Sequence, residues 1–266
     1  MRKISLTPTM DAPVRVLSYG KSGSGKTHWS ATWPNVLFLS DASEGGWRTV
    51  QTMDPEHFHN RDIPPRIVAI EHPSDLMKSI EQLQKRQSPD GMIDDIGSVE
   101  TVVIDSLTLH LDAMLLVFQA GTNDTRQVYG KLGQYAQNLV TMLHSLPINV
   151  LWLCLEKEPS EDNPSGVPHL AGQSAIKVPA RCDYVFYHRA IQSPNQPMTW
   201  EIRTKSFQNF VARARGFDRN PLPPTYADFQ TECTRVLTRD TPAAPVNGRV
   251  IQPPRRIAPP APRVQR

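Results

Sequence analysis

The sequence has only three cysteines, Cys154, Cys182 and Cys233, and none is paired as C-x-x-C. An odd number at such wide spacing excludes a disulfide framework and a thiolate zinc site, and predicts reduced, buried thiols. No apolar run approaches the ~20 residues that span a bilayer, and the opening MRKISLTPTMDAP lacks the apolar stretch of a secretory signal. The expected compartment is the cytoplasm, with no membrane contact. A net charge of +3 is too small to specify a nucleic-acid partner by itself. Acidic and aromatic residues are missing altogether from Thr241 onward, where 26 residues hold seven prolines and five arginines, Arg249, Arg255, Arg256, Arg263 and Arg266. Such a segment cannot bury enough apolar surface to offset its ordering entropy, so residues 236–266 are predicted to be a disordered tail. Its arginines suit an electrostatic tether for DNA or an acidic partner, or a solubilising extension; without aromatics it offers no base stacking.

What remains has an ordinary globular composition, 39% hydrophobic and 21% charged, long enough for one core over residues 1–235. Short apolar runs at 14–19, 36–40, 66–70, 101–104 and 149–155 read as interior strands. Helical patterns fall between them, at 26–32, 74–86 (with Ser74 as its cap), 107–118 and 125–146. This alternation predicts an α/β fold with a mainly parallel central sheet flanked by helices. Residues 183–191 and 199–204 alternate as a β-hairpin expected at the sheet edge, and 156–179, rich in Pro and Gly, reads as a long functional loop.

The first of these strands runs into Gly20, Lys21, Ser22, Gly23, Ser24, Gly25, Lys26 and Thr27, which match G-x-x-x-x-G-K-[ST]. Glycines let successive main-chain N–H groups turn toward phosphate oxygens; the lysine neutralises the outer phosphates and the threonine hydroxyl reaches Mg²⁺. The strand before and helix after supply the context this motif requires, so ATP and Mg²⁺ are the expected ligands. Lys26 is assigned to the phosphates and Thr27 to the metal, with His28 or Trp29 close to the nucleotide. Asp105, at the end of a buried strand, is the second metal-site carboxylate. Glu44, in SDASEGG past the second strand, is the candidate for polarising the attacking water, and Asp41 in the same loop competes with it. His57 and His59 have no third ligand and read as surface histidines, as Asp94 and Asp95 read as a solvated loop.

In this order, YGKSGSGKTH, FLSDASEGG, VVIDSLT, VYGKLGQYAQNLVTMLHSLPINV and PHLAGQSAIKVPARCDYVFY resemble the RecA-like P-loop ATPases of the phage nucleotide-binding protein family (AAA-type ATPase domain), which includes the ATPase-type Sak single-strand annealing proteins. The resemblance spans most of residues 14–220. It implies a RecA-like core, ATP hydrolysis, a homo-oligomer, and a role in phage recombination or replication in the host cytoplasm on single-stranded DNA with a single-strand-binding protein. It also implies a basic residue acting in trans, for which Lys205, Arg213 and Arg215 are available, and a DNA-contacting loop where Lys177 and Arg181 can meet backbone phosphates. Glu156 and Lys157 fall where a γ-phosphate sensor is expected. Ser106 stands where many ring-forming AAA-type ATPases carry a second carboxylate. That keeps a second reading open: a nucleotide-dependent loader or adaptor for a helicase or a single-strand-binding protein, with little hydrolysis. A packaging or helicase motor is a third reading, and no accessory helicase or nuclease segment accompanies it.

Overall fold

The computed structural model describes residues 12–87, 96–122, 124–161, 164–193 and 197–239. Asp94, Asp95 and the arginines of the tail lie outside them.

The β-branched and aliphatic runs form the strands β1 (Arg15–Tyr19), β2 (Val36–Asp41), β3 (Arg66–Ile70), β4 (Thr101–Asp105) and β5 (Asn149–Cys154). Between and after them lie α1 (Lys26–Ala31), α2 (Gly46–Thr52), α3 (Pro73–Gln84), α4 (Leu107–Ala120) and α5 (Thr125–His144). The expected loop after β5 contains a short antiparallel pair, β6 (Glu156–Lys157) with β7 (Val167–Pro168), and a helix α6 (Ser174–Ala180). The chain continues through β8 (Tyr184–Ile191), β9 (Thr199–Arg203), β10 (Lys205–Phe207), β11 (Phe210–Arg213) and α7 (Tyr226–Arg239).

Nine strands make one sheet in the order β10-β11-β8-β1-β5-β4-β2-β3, with β9 paired to β8. The six from β8 to β3 run parallel to one another, and the strand carrying Asp105 is separated from β1 by β5. The interior strands β1, β2, β4 and β5 are covered on both faces, which is why these runs are continuously apolar. On β5, Val150, Trp152 and Cys154 enter the core shared with α3, α4, α5 and α6, while Leu151 and Leu153 enter the one shared with α1 and α7. Full burial of one such aliphatic side chain stabilises by about 1.5–3 kcal/mol.

Local chemistry sets the helix starts. Asp124 accepts the N–H groups of Arg126 (2.9 Å) and Gln127 (3.3 Å) to open α5. The start of α3 differs from the sequence expectation. Pro73 lacks an N–H and suits the first turn, so the cap moves back to His72, whose ring accepts from the N–H of Ser74 while Asp75 returns to the His72 N–H. The hairpin at 183–191 and 199–204 forms, but β8 is an interior strand: residues 184–187 pair with β1 and residues 187–191 with β9. The edge is made by a second hairpin, β10–β11.

Helix α7 is an element the hydrophobic pattern did not suggest. Thr225 accepts the Asp228 N–H (3.1 Å) and donates to the Asp228 carboxylate (2.6 Å), and Phe229 packs its ring 4.9 Å from Trp33. The T-x-x-D spacing at its start was the available signal. The helix runs four residues beyond the boundary drawn at 235, because Val236 still packs on the core and against Gly216.

Candidate nucleotide site

The phosphate-loop residues sit at the carboxyl end of β1. Gly20 is wedged between strands: its N–H donates to the Cys154 carbonyl on β5 (3.3 Å), and a Cβ there would lie 2.2 Å from the His188 carbonyl oxygen. Gly23 (φ 76°) and Gly25 (φ 85°) adopt left-handed backbone, which glycine reaches without a steric penalty. Lys26 is buried. Its ammonium donates to the carbonyls of Gly20 and Lys21 (2.8 Å each) and meets Ser24 Oγ at 3.4 Å. Burial lowers its pKa, opposed by the charges of Asp105 and Glu44. The lysine charge is therefore held inside the loop on weak, neutral acceptors, a setting in which an anion is a better partner.

Across the end of β5, Thr27 Oγ1 donates to Asp105 Oδ2 at 2.9 Å. Asp105 is 3% exposed, and its pKa is pushed up to about 6, first by burial and then by the charge of Glu44, against the pull of Thr27 and Lys26. The chain closes tightly over this pair: a Cβ on Gly46, the first residue of α2, would lie 2.7 Å from Asp105 Oδ2 and 3.6 Å from Thr27 Oγ1. Glu44, two residues earlier, has one carboxylate oxygen, Oε2, buried with no hydrogen-bond partner among the described residues. Asp41 is differently engaged, its Oδ1 accepting from the Ser43 N–H (2.9 Å) and the Ser43 hydroxyl (2.5 Å). A hydroxyl and a carboxylate in contact are the hard oxygen donors that Mg²⁺ takes, and a buried lysine within a glycine loop suits a phosphate chain. The residues present fit magnesium and a nucleoside triphosphate.

The remaining sequence candidates divide. Ser22 is exposed, and Lys21 points outward to an ion pair with Glu158 (2.6 Å) and to Glu156 at 3.9 Å. Glu158, in the segment after β5, thus pairs with the phosphate loop. Lys157 is exposed. Trp29 does not face the nucleotide loop: it is fully buried, edge-on to Trp33 (5.3 Å) and Phe186 (5.7 Å). His28 is half-buried beside Trp200 on β9, with ring centres 4.8 Å apart, and close to the exposed His57. Trp200 was not singled out in the sequence, yet its indole N–H donates to the Gly23 carbonyl (3.1 Å), a contact 177 residues apart in the chain that no local pattern announces.

Arg213 is half-buried, and its Nη2 donates to the Pro179 (2.8 Å) and Cys182 (2.7 Å) carbonyls of its own chain. Lys205 and Arg215 are exposed. Arg215 lies toward the amino end of β8, away from the phosphate loop, and Lys205 is on the edge strand, paired with Arg213. On α6, Lys177 is exposed, while Arg181 just past it is tied to α5 through the Gln137 carbonyl (3.3 Å) and Thr141 Oγ1 (2.9 Å). A cavity of about 620 Å³ lies at the opposite end of the sheet, lined by Pro34, Glu100, Ile148 and Tyr226, and holds none of this chemistry.

No helix among the described residues is long and apolar enough to cross a membrane. No curated protein matches the chain. Among solved structures, a KaiC-like protein from the hyperthermophilic archaeon Pyrococcus horikoshii OT3 is similar at 14% identity over 76% of this chain and 82% of its own, with a TM-score of 0.43, too remote to inform function. A family model described as AAA domain matches residues 12–216, a span that opens just before β1 and takes in the phosphate loop, Glu44, Asp105 and the β10–β11 edge. With that match and the loop geometry, the chain belongs to the AAA domain family and is a nucleotide-binding P-loop ATPase domain.

Proposed function

We propose that the protein hydrolyses ATP at the Gly20–Thr27 loop and uses the cycle to alter its hold on single-stranded DNA during phage recombination or replication. The observation that carries the hydrolytic part is the convergence at one end of the sheet of Lys26, Thr27, Asp105 and Glu44, whose Oε2 has no hydrogen-bond partner among the described residues. Loop N–H groups and Lys26 bind and orient the triphosphate, and Lys26 neutralises charge that builds on the outer phosphate. Thr27 and Asp105 would hold Mg²⁺, which supplies further charge neutralisation on the phosphate oxygens. Glu44 orients a water and takes its proton; the Ser43 contacts of Asp41 leave Asp41 the poorer base. Gly46, seated against Asp105, helps to keep bulk water from the metal-binding oxygens.

The DNA part rests on the ordered sequence segments and on exposed chemistry near α6. Lys177, Ile176 (76% exposed) and Tyr129 (43% exposed) combine a cation with apolar and aromatic surface of the kind that holds single strands. Assembly as a homo-oligomer, with Lys205 or Arg215 reaching a neighbour's nucleotide, and docking of a single-strand-binding protein belong to the same proposal. The test is ATP turnover by the purified protein with and without single-stranded DNA, beside Lys26→Ala and Glu44→Gln. DNA-stimulated turnover, lost in both variants, is expected; turnover indifferent to DNA would remove the DNA part.

One observation favours the loader or adaptor reading. Ser106, next to Asp105, caps α4 by accepting the Leu109 N–H (3.4 Å), so no second carboxylate adjoins the metal-site aspartate. Under that reading ATP binds and turnover stays negligible with saturating Mg²⁺ and DNA, which the same assay distinguishes.

A further inference from the structure

We propose that Trp200 is a positioning residue that fixes the phosphate loop in its nucleotide-binding shape from the outside; this rests on the reading of Gly20–Thr27 as the triphosphate site. Two independent contacts carry it. The indole N–H holds the Gly23 carbonyl at 3.1 Å. The same ring lies where a side chain on Gly25 would stand, its Cγ 2.6 Å and its Cβ 3.0 Å from an added Cβ. Trp200 thus touches both left-handed glycines of the loop, one by hydrogen bond and one by packing.

The consequence follows from peptide planarity. In a trans peptide the carbonyl of one residue and the N–H of the next point in opposite directions. Holding the Gly23 carbonyl outward on Trp200 therefore turns the Ser24 N–H inward, where it donates to the Lys21 carbonyl (3.2 Å), the same oxygen that receives the Lys26 ammonium. A flip of that peptide would aim a carbonyl oxygen into the loop and repel a phosphate. Glycine at 23, whose Cβ position has nothing within 4 Å, does not prevent the flip by sterics; the indole does so by hydrogen bonding.

The indole is itself held. β9 pairs with β8 through Trp200↔Ala190 and Arg203↔Tyr187, and the neighbouring Glu201 is clamped by Arg189 (3.3 Å) and Arg203 (2.5 Å). Both arginines lie over the Phe207 ring, at 4.9 and 4.0 Å. The β8–β9 hairpin thus supports the loop as a bracket from a different part of the chain, and His28, its ring tilted against Trp200 at 4.8 Å, joins the first turn of α1 to the same bracket.

The experiment is Mg-ATP binding by calorimetry with steady-state kinetics on the full chain, comparing wild type, Trp200→Phe and Lys26→Ala. Trp200→Phe keeps a ring against Gly25 and deletes the hydrogen bond. The expected result is about a 3- to 10-fold weaker Kd and raised KM, with kcat at saturation within twofold, since one neutral hydrogen bond is at stake. A Kd and KM equal to wild type would overturn the proposal while leaving the triphosphate site standing; ATP binding equal in Lys26→Ala and wild type would overturn the site itself, and this proposal with it. A second measurement needs no variant: in ¹⁵N-tryptophan-labelled wild-type protein, the Trp200 indole N–H resonance is expected to shift on adding Mg-ATP. An unmoved resonance at saturating nucleotide contradicts the proposal even if Trp200→Phe fails to fold.

Discussion

The hydroxyl of Thr27 and the carboxylate of Asp105, 78 residues apart in sequence, meet at 2.9 Å across the end of the strand that separates β1 from β4. The contact joins the residue that ends the phosphate loop to the residue that ends the fourth strand. It assembles from two chain segments the oxygen donors that magnesium requires. Asp105→Asn keeps the shape and removes the charge, and is expected to lower ATP turnover by about 100-fold or more, with a higher Mg²⁺ requirement. Turnover measured across a Mg²⁺ titration checks this, and an unshifted Mg²⁺ midpoint would argue against Asp105 as a ligand.

Glu44 and Asp41 separate cleanly by substitution. Glu44→Gln should bind ATP with near-normal affinity and lose about 10²- to 10⁴-fold in turnover, as expected for removal of a general base. Asp41→Asn, which disturbs a turn through Ser43, should retain most turnover. Single-turnover hydrolysis of prebound ATP reports both, and the reverse pattern would exchange their roles.

Glycines in different settings should respond with opposite sign. Gly25→Ala places a side chain at φ 85° and against Trp200, and is expected to destabilise by about 1–3 kcal/mol from backbone strain alone and to weaken nucleotide binding. Gly133→Ala, in α5 with nothing within 4 Å of its added Cβ, should stabilise by about 0.5–1 kcal/mol through helix propensity. Urea unfolding of the two variants is the check.

Stability should depend on pH through buried histidines. Burial lowers the pKa of His110 to about 4, with Asp41 opposing, and that of His144 to about 4, with Arg15 and Arg181 adding to the effect. The unfolded chain titrates its histidines near ~6.5, so between that value and about 4 it binds more protons than the folded protein. These histidines therefore make stability rise with pH through this window and fall on acidification, partly offset by Asp105, whose pKa raised to about 6 acts with the opposite sign. The urea midpoint is expected to be lower at pH 5 than at pH 7, with a smaller drop in His110→Gln.

The parts of this molecule legible in the sequence are those with short-range causes. Val-, Ile- and Leu-rich strands buried on both faces, such as β4, announce themselves as unbroken apolar runs, and the run at 66–70 matches the bounds of β3. The phosphate loop is one contiguous octapeptide whose glycines serve its own backbone. What escaped is non-local or depends on a competing local rule. Pro73 displaced the cap of α3 from Ser74 to His72. The acceptors that Arg213 meets, the carbonyls of Pro179 and Cys182, lie more than 30 residues away in sequence. Trp200 reaches the site only through tertiary pairing and nothing in its neighbourhood marks it, while Gly46 closes the SDASEGG segment but its seat against Asp105 is set by tertiary packing.

The central claim is that Gly20–Thr27 is a triphosphate cradle whose buried lysine supplies the charge. Calorimetric titration of Mg-ATP into wild type and Lys26→Ala tests it most directly. The account predicts saturable one-site binding in the wild type and a loss of at least about 100-fold in affinity in Lys26→Ala, in keeping with removal of a charged hydrogen-bonding partner. Equal affinities in the two proteins, or no uptake of Mg-ATP by the wild type at millimolar concentration, would contradict it.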